Sequence, residues 1–177
     1  EGEAAAEVDP TERTTLVGHE SLLLGAPPSL TLTELARRAG TSLETAQKFW
    51  RAMGFADVQP DEVRFTDQDV AALQDTVALL DETSDSSLAS ASVLELLRAQ
   101  SYTMDRLVLW ELETFVTDLS ERLGLDDTAA RLVALDRIDG LVELLSRQLT
   151  YVWRRHMASI LGRTDAEVST RGREDTG

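Results

Sequence analysis

Hydrophobic residues in the stretch 31–73 recur with the spacing of short amphipathic helices. The pattern predicts a helix, a tight turn, a second helix, one short strand and a third helix. Gly40 lies in the predicted turn, where its lack of a side chain permits a positive φ. Ser42 is placed to cap the second helix and Gly54 to end it. The residues expected to face inward are Leu35, Ala39, Leu43, Ala46, Phe49, Trp50 and Met53. This order of elements is typical of a winged helix-turn-helix.

The rest of the chain carries longer helical patterns. The third helix continues with an apolar stripe on one face, followed by a run of small polar residues at 81–87. Two long helical stretches come next, at 88–123 and 128–162, and their apolar residues occupy more than one face. Because such helices are usually buried on several sides, we expect a second subunit to cover them. The predicted fold class is therefore all-α, with long dimerisation helices and an embedded winged helix-turn-helix-like unit.

These patterns predict four segments along the chain. Residues 1–30 form an N-terminal arm with a short helix, and residues 31–83 form the winged helix-turn-helix-like unit. Residues 84–163 form a unit of long helices that serves dimerisation and sensing. Residues 164–177 are polar and are expected to be a linker toward a further, C-terminal domain.

The charge of the chain disfavours nucleic acid as a partner. The formal net charge is −15, from 32 acidic and 17 basic residues. Even the stretch 31–73 has seven acidic residues against five basic ones. Phosphate attraction drives non-specific nucleic-acid binding, so we expect no nucleic-acid partner.

The composition also limits other classes of site. The chain has no cysteine, which excludes disulfides and thiolate metal sites. No apolar run approaches the about 20 residues that a membrane-spanning helix needs. Nucleophile elbows, P-loops, dinucleotide-binding turns and zinc-protease motifs are missing from the sequence. We therefore expect this part of the protein to be non-catalytic by itself and to need no metal or cofactor.

Two histidines are candidates for proton sensing. His156 shares the apolar stripe of the last helix with Leu145, Leu149, Val152 and Ile160, next to Arg154 and Arg155. It is either a core histidine with one hydrogen bond or a proton switch, in which acidification would place a charge in an apolar seam. His19 is expected at a helix end, where it is either a surface residue or a residue with a ligand-binding role.

Aromatic and methionine side chains of the long helices offer a second candidate site. They are either core residues or the lining of a pocket for an apolar ligand such as a fatty acid. The pocket candidates are Met104, Trp110, Phe115, Trp153 and Met157.

The stretch 31–73 resembles the DNA-binding domain of MerR-type regulators. The resemblance lies in LTELARRAGTS, which is similar to that family's first helix and turn, and in VRFTDQDVAAL with Asp69. It implies a transcriptional regulator whose long helices bind an effector. Such a protein would bind duplex DNA in a salt-dependent way.

A second resemblance extends from Leu22 to Arg163. The order of an LLL segment, LTELARRAGTSLETAQKFWRAMGFADV, a long helix around 93–123 and LVELLSRQLTYVWRRHM is similar to the N-terminal regulatory domain of soluble bacterial class III adenylate cyclases. The resemblance implies a cytoplasmic, homodimeric, all-helical module fused to a C-terminal catalytic domain that makes cAMP from ATP. It also implies a response to acid pH and a fatty acid in an apolar cavity, with Arg155, His156 and Met157 in the family's terminal helix.

Three functional hypotheses follow. The first is the regulatory module of an adenylate cyclase, the second is the MerR-like regulator, and the third is an adaptor that binds a protein partner, because a fold alone does not determine a function.

Overall fold

The computed structural model describes residues 18–83, 85 and 87–174, apart from the side chains of 170 and 172–174. The predicted arm at 1–17 lies outside these residues, and only 18–23 are described of its helix, α1. The elements that follow are β1 (Leu30–Thr31), α2 (Leu32–Arg38), α3 (Leu43–Ala52), β2 (Val63–Phe65), α4 (Asp67–Leu80), α5 (Ser90–Leu123) and α6 (Asp127–Glu174). The predicted all-α class is confirmed.

Local hydrogen bonds determine where α2 and α3 begin. The Glu34 carboxylate accepts a hydrogen bond from the Thr31 backbone N–H at 2.8 Å, and Thr31 Oγ1 accepts one from the Glu34 N–H, which together form a capping box. Gly40, at φ +73°, turns the chain between the two helices. Ser42 Oγ then accepts the Thr45 N–H at 3.1 Å and caps α3 as predicted.

A two-stranded antiparallel sheet pairs the strand before α2 with the strand before α4. Leu30 in β1 pairs with Phe65 in β2. The sequence predicted only β2, because a two-residue strand is too short to show alternation. Directly after β2, the Asp69 carboxylate accepts hydrogen bonds from the Thr66 N–H and hydroxyl at 2.7 and 2.8 Å and positions the start of α4.

The hydrophobic core lies between α2, α3, α4 and the sheet. Its buried residues are Leu30, Leu32, Leu35, Ala36, Ala39, Ala46, Phe49, Phe65, Val70 and Leu73. Trp50 packs edge-on against Phe65, with ring centroids 4.9 Å apart. The predicted inward residues of α2 and α3 therefore do form this core.

The long helices α5 and α6 follow the predicted pattern with two differences. α5 packs against α3 and α4, so residues 90–123 share a compact unit with 31–83. The first unit ends at Ala130 and the second begins at Arg131, rather than at the predicted boundary after residue 83. The second difference is that residues 164–174, expected to be a linker, continue α6. Ala166, Glu167, Arg171 and Arg173 are good helix formers, and the helix continues through them although the segment has no apolar stripe.

Candidate functional site

Carboxylates accompany three basic side chains on the surface of residues 31–73. The pairs are Lys48 with Glu44 at 2.7 Å, Arg51 with Asp57 at 2.6 Å and Arg38 with Asp67 at 2.7 Å. The hydrogen bond and charge of Lys48 lower the pKa of Glu44, and the hydrogen bond and charge of Asp57 raise the pKa of Arg51. Glu44 and Arg51 therefore keep their charges over a wider pH range than the same side chains would without these partners. Carboxylates beside these cations weaken the attraction for phosphate that DNA binding requires.

A groove in the first unit lies between the end of α3 and the first half of α5. Its volume is about 750 Å³. Its lining is mainly apolar, with Arg98 and Asp105 as charged members beside Arg51. The other residues that line it are Ala52, Met53, Gly54, Phe55, Ser101, Tyr102, Met104, Val108 and Leu109. Ser101 Oγ donates a hydrogen bond to the Met53 carbonyl and thereby joins the two walls.

Sequence reasoning missed most of this groove. Of the predicted pocket residues, only Met104 lines it. The two walls come from segments nearly fifty residues apart, and no motif connects them. One signal was present, because Ser101 interrupts the apolar stripe of Leu97, Met104 and Val108 with a polar side chain. A serine at such an inward position is usually held by a hydrogen bond.

The remaining aromatic candidates are not in the core of this chain. Trp110 on α5 is 67% exposed, and Phe115, one turn further along, is half-buried. In the second unit, Trp153 and Met157 on α6 are 58% and 39% exposed. The prediction that they are core residues was wrong for Trp110 and Trp153, because the apolar faces of α5 and α6 are wider than a single chain covers.

The histidines lie in different units. His156 is exposed on α6, and so are Arg154 and Arg155. Of the two interpretations of His156, a core histidine within this chain is therefore wrong, and the proton switch stays a prediction. His19 is half-buried in α1 and does have an interaction partner.

Metal-binding clusters and membrane-spanning helices are both missing from the part of the chain that the structure describes. Within residues 18–83, 85 and 87–174, no group of three or more histidines, cysteines, aspartates and glutamates could hold a metal ion. In the same residues, no helix is both long enough and apolar enough to cross a membrane.

Comparison with known proteins gives the strongest indication of function. No family model matches the chain. The chain is 32% identical over 173 residues to a protein named adenylate cyclase from Glutamicibacter nicotianae, an alignment that covers 93% of this chain and 42% of that protein. Proteins of the same name from Streptomyces coelicolor and Streptomyces griseus are 35% and 33% identical, over 88% of this chain and 39% and 38% of theirs.

The chain thus spans about two fifths of the length of these relatives. These alignments cover nearly the whole chain, including residues 31–83 and most of the long helices. The similarity favours the cyclase hypothesis over the MerR-like regulator. The described chain is accordingly similar to a part of proteins named adenylate cyclase.

Proposed function

We propose that the chain is the regulatory module of a soluble, cytoplasmic adenylate cyclase. Its role is to control a fused C-terminal class III catalytic domain that forms cAMP from ATP. The observation that supports this most directly is the partial alignment: 88–93% of the chain matches about two fifths of each named adenylate cyclase. The rest of each relative is long enough to hold a separate catalytic domain.

The module acts as a homodimer. Large apolar side chains are exposed along α5, among them Tyr102, Leu109 and Trp110 at 66%, 57% and 67%. Extended apolar surfaces on soluble proteins commonly mark association sites. A second copy is the partner that fits best, because the resemblance to class III cyclases implies an active site formed between two catalytic domains.

Regulation then follows from the geometry of the dimer. A dimeric module sets the distance and orientation of the two catalytic domains that follow it. An input that binds one arrangement more tightly than the other shifts the population toward it, and an input without such a preference shifts nothing.

A proton is the first proposed input, and His156 is its proposed receptor. The histidine lies on α6 between Arg155 and Met157, in the helix that leads toward the C-terminal end of the chain. Protonation of His156 adds a positive charge next to Arg154 and Arg155. The added charge changes the electrostatic repulsion among these side chains and their interaction with any surface that covers the helix.

The corresponding test uses the full-length protein. We expect His156→Ala to shift the pH profile of cAMP formation by several tenths of a pH unit or more, whereas His19→Ala, in the other unit, should leave it in place. The rates are measured at saturating ATP from pH 5.5 to 8.5. A profile for His156→Ala that superimposes on the wild type would exclude His156 as the receptor.

A fatty acid is the second proposed input. The groove beside α5 offers an apolar lining with Arg98 at its edge, which suits an acyl chain with a carboxylate head group. Titration of the full-length protein with a long-chain fatty acid tests this proposal. We expect saturable binding that Ser101→Trp, which fills the groove, weakens at least tenfold; equal binding by that variant would contradict the assignment to this groove.

A further inference from the structure

We propose that the last exposed part of α6 docks on the acidic outer surface of α5 in a second copy of the chain. The two surfaces are the basic segment, residues 150–164, and the acidic surface of α5, residues 102–121. The proposal rests on the homodimer of the proposed function and adds to it which surfaces meet.

The basic segment differs in charge from everything before it. Its charged side chains are Arg154, Arg155 and Arg163, and no acidic residue lies anywhere between Glu143 and Asp165. Residues 1–130, by contrast, hold 25 acidic and 9 basic residues. A strong local reversal of charge within one chain is typical of a segment that meets an oppositely charged surface.

The basic segment also carries an apolar face without a cover in its own chain. Every side chain from 150 to 169 is exposed. Trp153, Met157 and Ile160 follow each other at steps of four and three, so they share one face of the helix. They are 58%, 39% and 50% exposed. This spacing is the anchor pattern of an amphipathic helix that lies in an apolar groove or on an apolar surface.

The acidic surface of α5 combines the two complementary properties. Tyr102, Leu109 and Trp110 supply exposed apolar area, and because Tyr102 and Leu109 also line the groove, the docked helix and a fatty acid in the groove would compete. Between 102 and 121 the helix has five acidic residues, of which Asp105, Glu113 and Glu121 lie on the side of this apolar patch. The one basic residue of this range, Arg106, lies over the Tyr102 ring at 5.7 Å. An aromatic and aliphatic patch with acidic neighbours is the chemistry that an apolar face bordered by arginines requires.

Charge also decides between the possible occupants. Pairing of two basic segments with each other would bring like charges together in either orientation. An anionic membrane would attract the arginines but repel the much larger negative charge of residues 1–130. A second copy of the chain offers a surface that is both acidic and apolar, so the arginines and the apolar face of the basic segment each meet a complementary partner, and a two-fold symmetric dimer forms the contact twice.

Photo-crosslinking between copies tests the contact directly. The 177-residue chain with benzoylphenylalanine at position 153 is mixed with nitrogen-15-labelled chain, irradiated, and analysed by peptide mass spectrometry. We expect crosslinks from position 153 to residues 102–121 of the labelled copy. The matched control carries the probe at Tyr151, on the opposite side of the helix, and should give at least tenfold fewer of them.

Other crosslinking results would overturn the proposal. Crosslinks from position 153 to α6 of the labelled copy would show self-pairing, and crosslinks confined to its own chain would exclude docking between copies. The experiment is repeated with vesicles that contain phosphatidylserine. Transfer of the crosslinks from protein to lipid would show that the segment binds a membrane surface instead.

A pair of charge reversals separates this inference from the homodimer itself. Arg154 lies at the edge of the apolar face of the basic segment, and Arg155 lies on the opposite side of the helix. Replacement of either arginine by glutamate changes the charge of the chain by the same amount. We expect Arg154→Glu to raise the dimer dissociation constant about tenfold, the equivalent of about 1.4 kcal/mol, and Arg155→Glu to raise it less than threefold. Sedimentation equilibrium measures both constants.

The dissociation constants distinguish a failure of the homodimer from a failure of this contact. A wild-type chain that stays monomeric at every concentration would contradict the homodimer and, with it, this contact. A wild-type dimer whose dissociation constant both reversals leave unchanged would contradict the contact between the basic segment and α5, while the homodimer would stand.

Discussion

Phe65 is the side chain whose removal best tests the packing of the hydrophobic core between α2, α3, α4 and the sheet. It is fully buried in β2, its ring contacts Trp50 edge-on, and its backbone carbonyl accepts the Ser29 N–H at 2.9 Å. Phe55 is the natural control, because its ring also stacks on Trp50, with centroids 4.4 Å apart, but is 53% exposed.

The two substitutions should differ clearly in free energy. Phe65→Ala removes a fully buried ring and leaves a cavity, which costs about 3–5 kcal/mol. Phe55→Ala loses about half of the burial energy of a phenylalanine and one stacked pair, which together amount to about 1–3 kcal/mol. The free energy of unfolding should thus fall by about 2 kcal/mol more in Phe65→Ala than in Phe55→Ala.

Urea unfolding followed by tryptophan fluorescence measures both changes. Trp50 is the tryptophan that contacts both rings, whereas Trp110 and Trp153 are largely exposed and report little on this core. Equal losses in the two variants, or a loss below about 1 kcal/mol for Phe65→Ala, would refute the packing described for β2 and α3.

Three further predictions concern caps and turns. Asp69→Ala removes the acceptor for the Thr66 N–H and hydroxyl and should lower the free energy of unfolding by about 0.5–2 kcal/mol in urea. Gly124→Ala places a side chain at φ +64° and should cost about 1–2 kcal/mol, seen as a lower melting temperature. The hydrogen bond from the Thr31 backbone N–H lowers the pKa of Glu34 below its unfolded value. The ionised Glu34 side chain therefore stabilises the fold above the unfolded pKa, and this stabilisation is lost as the pH falls through the folded pKa. Glu34→Gln should therefore flatten the acid side of a plot of urea midpoint against pH.

The first two of these have matched controls. Asp67→Ala removes a neighbouring carboxylate that is exposed and paired with Arg38, and it should cost less than Asp69→Ala. Gly140→Ala lies inside α6 with free space around its Cα, and it should raise stability by up to about 1 kcal/mol, opposite in sign to Gly124→Ala. A reversed order within any pair would contradict the role given to that residue.

Most helix ends could be predicted from the sequence because single residues determine them. Ser42 and Gly54 act locally, through one hydrogen bond or a positive φ, and the structure confirms both of them. The strand β1 could not be predicted in the same way, since it exists only through its pairing with β2. The helical course of 164–174 was not predicted, because a polar helix shows no apolar period.

The sites were harder to predict than the elements. The groove beside α5 requires residues 51–55 and 98–109 to meet, and a periodic pattern carries no information on such a meeting. The burial of Trp110 and Trp153 was difficult to predict for a related reason. A pattern shows that these apolar side chains favour burial, but it does not show whether their own chain or another one buries them. Charge was more informative, since the acidic first unit and the basic segment of α6 are both visible in the sequence.

The most direct test of the central claim is the rate of cAMP formation by the full-length protein with and without this module. Wild type and a variant that lacks residues 1–163 are compared over pH 5.5–8.5 at equal concentrations of catalytic domain. A regulatory module predicts that both proteins convert ATP to cAMP and that deletion changes the rate severalfold and flattens its dependence on pH. Absence of cAMP formation by the full-length protein, or identical rates with and without the module at every pH, would contradict the account.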